Sequence, residues 1–173
     1  MNSNIYLSPH FKLKEFVESP TANKYGIDNT PSLEIVNNLR HLCEGTLEPL
    51  REAMGLPIII TSGYRCKELN ELITHHSNTS QHMAGQAVDF YVGDGLISDF
   101  KFQVSSESRR ELLIKAFRLI LTLESITFDQ VIIYPSFIHV SFVSNVRNRR
   151  KITKGYGNGK YCALNREDAL SIN

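Results

Sequence analysis

Two short apolar runs, Ala87-Val88-Asp89-Phe90-Tyr91-Val92 and Phe137-Ile138-His139-Val140-Ser141-Phe142, each carry a titratable residue near the centre. Neighbouring side chains of a strand point to opposite faces. Asp89 and His139 therefore turn away from the apolar residues that flank them. Such runs fit a sheet with one face on a core and the other presenting polar groups to a shared surface or cleft.

The remaining pattern supplies what covers the core face. Leu33, Val36, Leu39, Leu42, Cys43, Leu47 and Leu50 recur at spacings of three and four, which predicts an amphipathic helix over 31–54. Thr30-Pro31 opens it, and Gly45 and Pro49 predict a break or kink inside it. A second long helix is predicted over 106–124, with Leu112, Leu113, Ala116, Phe117, Ile120 and Leu121 as its stripe. Shorter helices are expected near 12–18 and over 66–73, with an irregular loop after the first. Strands are expected at 56–61, 87–92, 130–134 and 137–142, the last two joined by a tight Pro135-Ser136 turn. The stretches 74–86, 93–104 and the glycine-rich 154–160 read as loops, and 160–164 as a final strand. The expected fold is a single α+β domain over 1–173, a small antiparallel sheet with two long helices packed on it.

Composition excludes several classes of function. Nineteen basic residues nearly cancel eighteen acidic ones, which gives no reason to expect nucleic acid or an anionic membrane as partner. Arg147, Arg149, Arg150, Lys151 and Lys154 form a local basic cluster, read as a solvated face. Three cysteines without Cys-x-x-Cys spacing argue against both a disulfide framework and a cysteine metal site. Met1–Ile5 shows no signal-peptide pattern, and no apolar run reaches the ~20 residues of a membrane span. The expectation is a soluble protein, cytoplasmic until released or brought to the cell wall by another route. The sequence sets no oligomeric state.

His82 lies seven residues before Asp89 in a loop, with Gly85 between them to let the chain turn back. Two imidazoles and one carboxylate suit zinc and leave a fourth position open. Strand histidines and aspartates also serve as hydrogen-bonded structural groups, and spacing alone leaves both readings open. His10, His41, His75 and His76 take no role, because adjacent side chains such as His75-His76 seldom converge on one ion.

Ser80-Gln81-His82-Met83-Ala84-Gly85-Gln86-Ala87-Val88-Asp89 resembles the Ser-x-His-x-x-Gly-x-Ala-x-Asp signature of the zinc D-Ala-D-Ala carboxypeptidases and related phage endolysins. Thr61-Ser62-Gly63-Tyr64-Arg65 resembles the family's Ser-Gly-Tyr-Arg element. Phe128-Asp129-Gln130 with Phe137-Ile138-His139-Val140-Ser141 resembles its closing strand pair. His10-Phe11-x-Leu13-x-Glu15-Phe16 and Leu47-Glu48-Pro49-Leu50-Arg51 fit one branch of it. The resemblance spans roughly residues 7–143 and leaves the tail 144–173 outside.

That resemblance implies the hedgehog/DD-peptidase fold and Zn²⁺ held by His82, Asp89 and His139. It implies a zinc metallopeptidase, carboxypeptidase-like or endolysin-like, acting on peptidoglycan stem peptides at a bond beside a D-amino acid. Arg65 would stabilise an oxyanion. The chain departs from the family where relatives place the carboxylate that moves the proton, since those positions hold Tyr134 and Ser136. Tyr134 is the second candidate catalytic residue, as a hydrogen-bond donor to the oxyanion, because a phenol with a pKa near ~10 is a poor base at neutral pH. Asp129 is expected to be structural at the start of its strand, with His139 facing Ile132. The alternative function is a zinc-containing wall-binding or structural domain that has lost its base; hedgehog signalling domains share the fold outside wall hydrolysis.

Overall fold

The computed structural model describes residues 5–74, 77–93 and 106–173. Residues 94–104 of the loop expected at 93–104 and the His75-His76 pair lie outside them. The N-terminal segment forms a two-stranded sheet, β1 (Tyr6–Ser8) and β2 (Phe11–Lys12), followed by helix α1 (Leu13–Val17). Next comes α2 (Pro20–Tyr25), where an irregular loop was expected. Its signals are local: Ser19 accepts from the Ala22 amide, Pro20 opens the first turn and Gly26 closes the last.

The predicted long helix begins at Leu33, capped by Ser32 rather than opened by Thr30-Pro31, and from there it is helical but not uniform. It runs as α3 (Leu33–Leu42), a π-helical turn (Cys43–Leu47) and α4 (Glu48–Met54). Pro49 has no amide hydrogen, so the Gly45 carbonyl has no regular α-helical partner. Thr127 supplies the bonds instead, its amide donating at 2.9 Å and its hydroxyl at 3.0 Å. The break thus docks the chain just ahead of Phe128-Asp129. His10 ties the N-terminal segment to this helix through both its amide and its ring, bonded to Glu48.

The main sheet has six strands rather than the few expected, and it is mixed rather than antiparallel. Its strands are β3 (Ile58–Ser62), β4 (Ala87–Val92), β5 (Gln130–Ile133), β6 (Ile138–Ser141), β7 (Lys151–Gly155) and β8 (Tyr161–Ala163), in the spatial order β3-β4-β6-β5-β7-β8. Two of its strands come from the tail. Of these, β8 matches the strand expected at 160–164, whereas β7 has no counterpart among the expected strands and overlaps the expected loop at Lys154-Gly155. β7 pairs with β5 in parallel, and β8 closes the edge antiparallel. Helix α5 (Lys67–Glu71) follows β3, α6 (Ser106–Thr122) precedes β5, and α7 (Arg166–Leu170) ends the chain.

Val88, Phe90, Val131, Ile133, Ile138 and Val140 are buried on one sheet face, in one core with Leu113, Phe117 and Ile120 of α6 and Leu39, Leu42 and Leu50 of the broken helix. Burying a side chain of this size stabilises the fold by about 1.5–3 kcal/mol. The opposite face carries a row in register across five strands: Asp89, His139, Ile132, Thr153 and Ala163. Among the described residues no helix is long and apolar enough to cross a membrane.

Candidate metal centre and its cleft

Asp89 and His139 sit directly opposite each other on β4 and β6. Asp89 Oδ1 lies 2.9 Å from His139 Nδ1 and 3.5 Å from His82 Nε2. The two imidazole nitrogens are 3.3 Å apart. His82 arrives from a 3₁₀ turn (Gln81–Ala84) just before β4. Its other nitrogen, Nδ1, is 2.7 Å from the Gly63 carbonyl, which can only accept. Nδ1 therefore carries the proton, and the Nε2 lone pair faces Asp89 and His139.

The electrostatics suit a ligand set. Burial depresses the His82 pKa and favours the neutral ring. Burial alone would raise the Asp89 carboxyl, but the facing His82 and His139 rings outweigh it and hold the carboxyl far below its usual range. These three donor atoms lie within 4.8 Å of one another, the one such group among the described residues that could hold a metal ion. A borderline-soft cation such as zinc, bound by nitrogen and carboxylate oxygen, fits this set. The bond that His82 Nδ1–H donates to the Gly63 carbonyl is of the kind that orients a metal-binding histidine.

Arg65 is placed by the chain leaving β3. The Gly63 position has no room for a side chain, since a Cβ there would lie 2.4 Å from the Phe16 carbonyl oxygen. Asn29 fastens the same turn: its Nδ2 donates to the Tyr64 carbonyl and its Oδ1 accepts from the Cys66 amide. Nothing in the sequence singles out Asn29. Arg65 then faces the cleft with a buried Nε that has no partner among the described residues. Burial lowers its pKa, opposed by the nearby Asp89 and Tyr134. The guanidinium stays charged in any case.

Tyr134 lines the same cleft, which encloses about 990 Å³. Its ring stacks on Phe137 at 4.3 Å and 16° and lies flat over Gly155, where a Cβ would come within 2.3 Å of the ring. Its hydroxyl donates to that of Tyr161 at 3.3 Å. Burial and the Tyr161 hydroxyl both push its pKa up, so it remains protonated at neutral pH. Ile132 stands opposite His139, and Asp129 lies at the far end of the hairpin.

Asp129 is fully buried and fully engaged. Burial would raise its pKa, but Arg149 and Gln81 hold it below the usual carboxylate range. Arg149 Nε donates to both carboxylate oxygens at 3.0 Å, its amide donates to Oδ1, and Gln81 Nε2 donates to Oδ2 at 2.9 Å. The basic cluster is therefore not simply a solvated face: Arg147, Arg149 and Lys151 line the cleft. Arg150 lies over the Phe128 ring and Lys154 over Tyr156.

No curated protein matches the chain. The family model described as Peptidase M15 matches residues 9–121, well over half of the 173 residues. The match takes in Arg65, His82 and Asp89 and ends before Tyr134, His139 and the tail. The chain belongs to the peptidase M15 family, that of the zinc D-Ala-D-Ala carboxypeptidases and endolysin-like peptidases.

Proposed function

We propose that the chain is a zinc-dependent peptidase acting on peptidoglycan stem peptides at a bond beside a D-amino acid. His82, Asp89 and His139 are its metal ligands, Arg65 its oxyanion-stabilising cation and Tyr134 a hydrogen-bond donor. The observation that carries this reading is the convergence of two imidazole nitrogens and a carboxylate oxygen within 4.8 Å, in an open cleft of a peptidase-family chain. Bound there, zinc supplies Lewis acidity towards a peptide carbonyl and towards water. Arg65 lines the cleft, and its guanidinium offers a fixed positive charge to a developing oxyanion. Tyr134 keeps its proton and donates.

One observation favours a second reading, a zinc-containing wall-binding domain without turnover. Among the described residues lining the cleft the carboxylates are Asp89 and Asp129. The first faces two imidazoles and the second is paired with Arg149, so neither is free to take a proton from water. Incubating zinc-loaded protein with defined muropeptides, followed by mass spectrometry, separates the two. Products cut beside a D-residue establish the peptidase; binding without products establishes the wall-binding domain. If neither occurs, both readings fall. Under the second reading Tyr134→Glu restores a carboxylate to the cleft and is expected to create hydrolysis.

A further inference from the structure

The tail does more than extend the sheet, because it brings unmatched positive charge into the cleft. Four cations line the cleft: Arg65, Arg147, Arg149 and Lys151. Of the two lining carboxylates, Asp129 is matched by Arg149, and Asp89 is matched by the imidazoles of the candidate metal centre. Arg147 and Lys151 are exposed and have no acidic side-chain partner among the described residues.

Their place is fixed by the backbone. Asp129 accepts the Lys151 amide at its carbonyl and the Arg149 amide at its carboxylate. Between them Arg150 takes a left-handed conformation, φ 55°, the one such non-glycine residue among those described. That conformation is unfavourable for a residue with a Cβ. Here it lets Arg149 and Lys151 both meet the cleft while Arg150 lies on Phe128. Lys151 is paired with Gln130, two residues along the sheet from the row of His139 and two strands across from β6. With strands ~4.8 Å apart and a rise of ~3.3 Å per residue, its backbone lies about 12 Å from that of His139. An extended peptide covers that distance in about three to four residues.

We propose that Arg147 and Lys151 form a carboxylate-binding subsite on the tail wall of the cleft. It selects a peptide with a free acidic group about three to four residues from the bond at the metal centre. This inference rests on the proposed peptide-binding function and adds the charge class of the ligand. Exposed ion pairs are individually weak, so two of them give a preference of about tenfold that declines with salt.

The test measures binding of two stem peptides by calorimetry to the zinc-loaded protein, at low and high salt. One peptide keeps its free side carboxylate and the other carries the amide there; cleavage is followed separately by mass spectrometry. The expected result is an acid-over-amide preference of about tenfold in wild type, lost in Arg147→Glu/Lys151→Glu. A control with the same change in net charge, Lys24→Glu/Lys115→Glu, should keep the preference. Equal binding of the two peptides by wild type, or a preference that survives the rim reversal, overturns the subsite and leaves the peptidase reading to the cleavage data. Preference for the acid without cleavage supports the subsite and removes the peptidase. Binding of neither peptide overturns both.

Discussion

The cleft buries part or all of two aspartates and treats them differently. Asp89 meets two imidazoles, whereas Asp129 meets a guanidinium and a carboxamide. A neutral imidazole can turn a lone pair to a metal, and it leaves the carboxylate able to do the same. A guanidinium has no lone pair to offer and does not give up its proton. The chemistry of the partner, more than burial, therefore separates a carboxylate suited to bind a ligand from one committed to the scaffold.

Exchanging the roles is the direct way to break this contrast. Asp89→Ala is expected to abolish stoichiometric zinc in elemental analysis, and Asp129→Asn to leave it intact. Equal zinc in wild type and Asp89→Ala would dismiss the metal centre. Next in size is Arg65→Ala, expected to cut turnover by on the order of 10²–10³ with metal content unchanged, as for loss of one oxyanion donor. Unaltered rates would remove Arg65 from the reaction.

A smaller effect belongs to the scaffold end. Asp129→Asn weakens a charge-assisted cluster whose arginine is exposed, and should cost about 1–3 kcal/mol in urea unfolding. No loss of stability would mean that the tail does not depend on this anchor. The subtlest effect is its pH dependence. The folded Asp129 carboxyl is held below its ordinary value of 3.8, so its contribution is full above that value and is lost as pH falls through the folded pKa. The stability gap between wild type and Asp129→Asn should be constant above about pH 5 and close below about pH 4. A gap that widens on acidification would contradict the assignment.

Sequence legibility follows the same division. Asp89 and His139 could be found because each interrupts an apolar alternation, a signal local to six residues. The role of Arg149 could not, since it depends on β7 lying parallel to β5 across an intervening chain segment. Lys151-Ile152-Thr153-Lys154-Gly155 carries little apolar pattern and runs into the glycine-rich loop, so no strand is legible there. Gly155 instead makes room for the Tyr134 ring. Helix α2 was legible in principle from Ser19, Pro20 and Gly26, but its six residues carry almost no buried stripe.

The π-helical turn at Cys43–Leu47 has a consequence for how the chain tolerates changes of length. Such a turn amounts to one residue inserted into regular winding. Deleting one residue there would restore regular winding and keep α3 and α4 on their present faces, whereas inserting a further one would turn α4 by about 100° about the axis. After a deletion Leu50 and Met54 would still face the core, but the π turn that turns the Gly45 carbonyl to Thr127 would be gone. Two residues beyond Thr127 stands Asp129, so a lost residue in a distant helix would reach the tail wall of the cleft. In urea unfolding, a one-residue deletion in this segment should therefore cost less than a one-residue insertion.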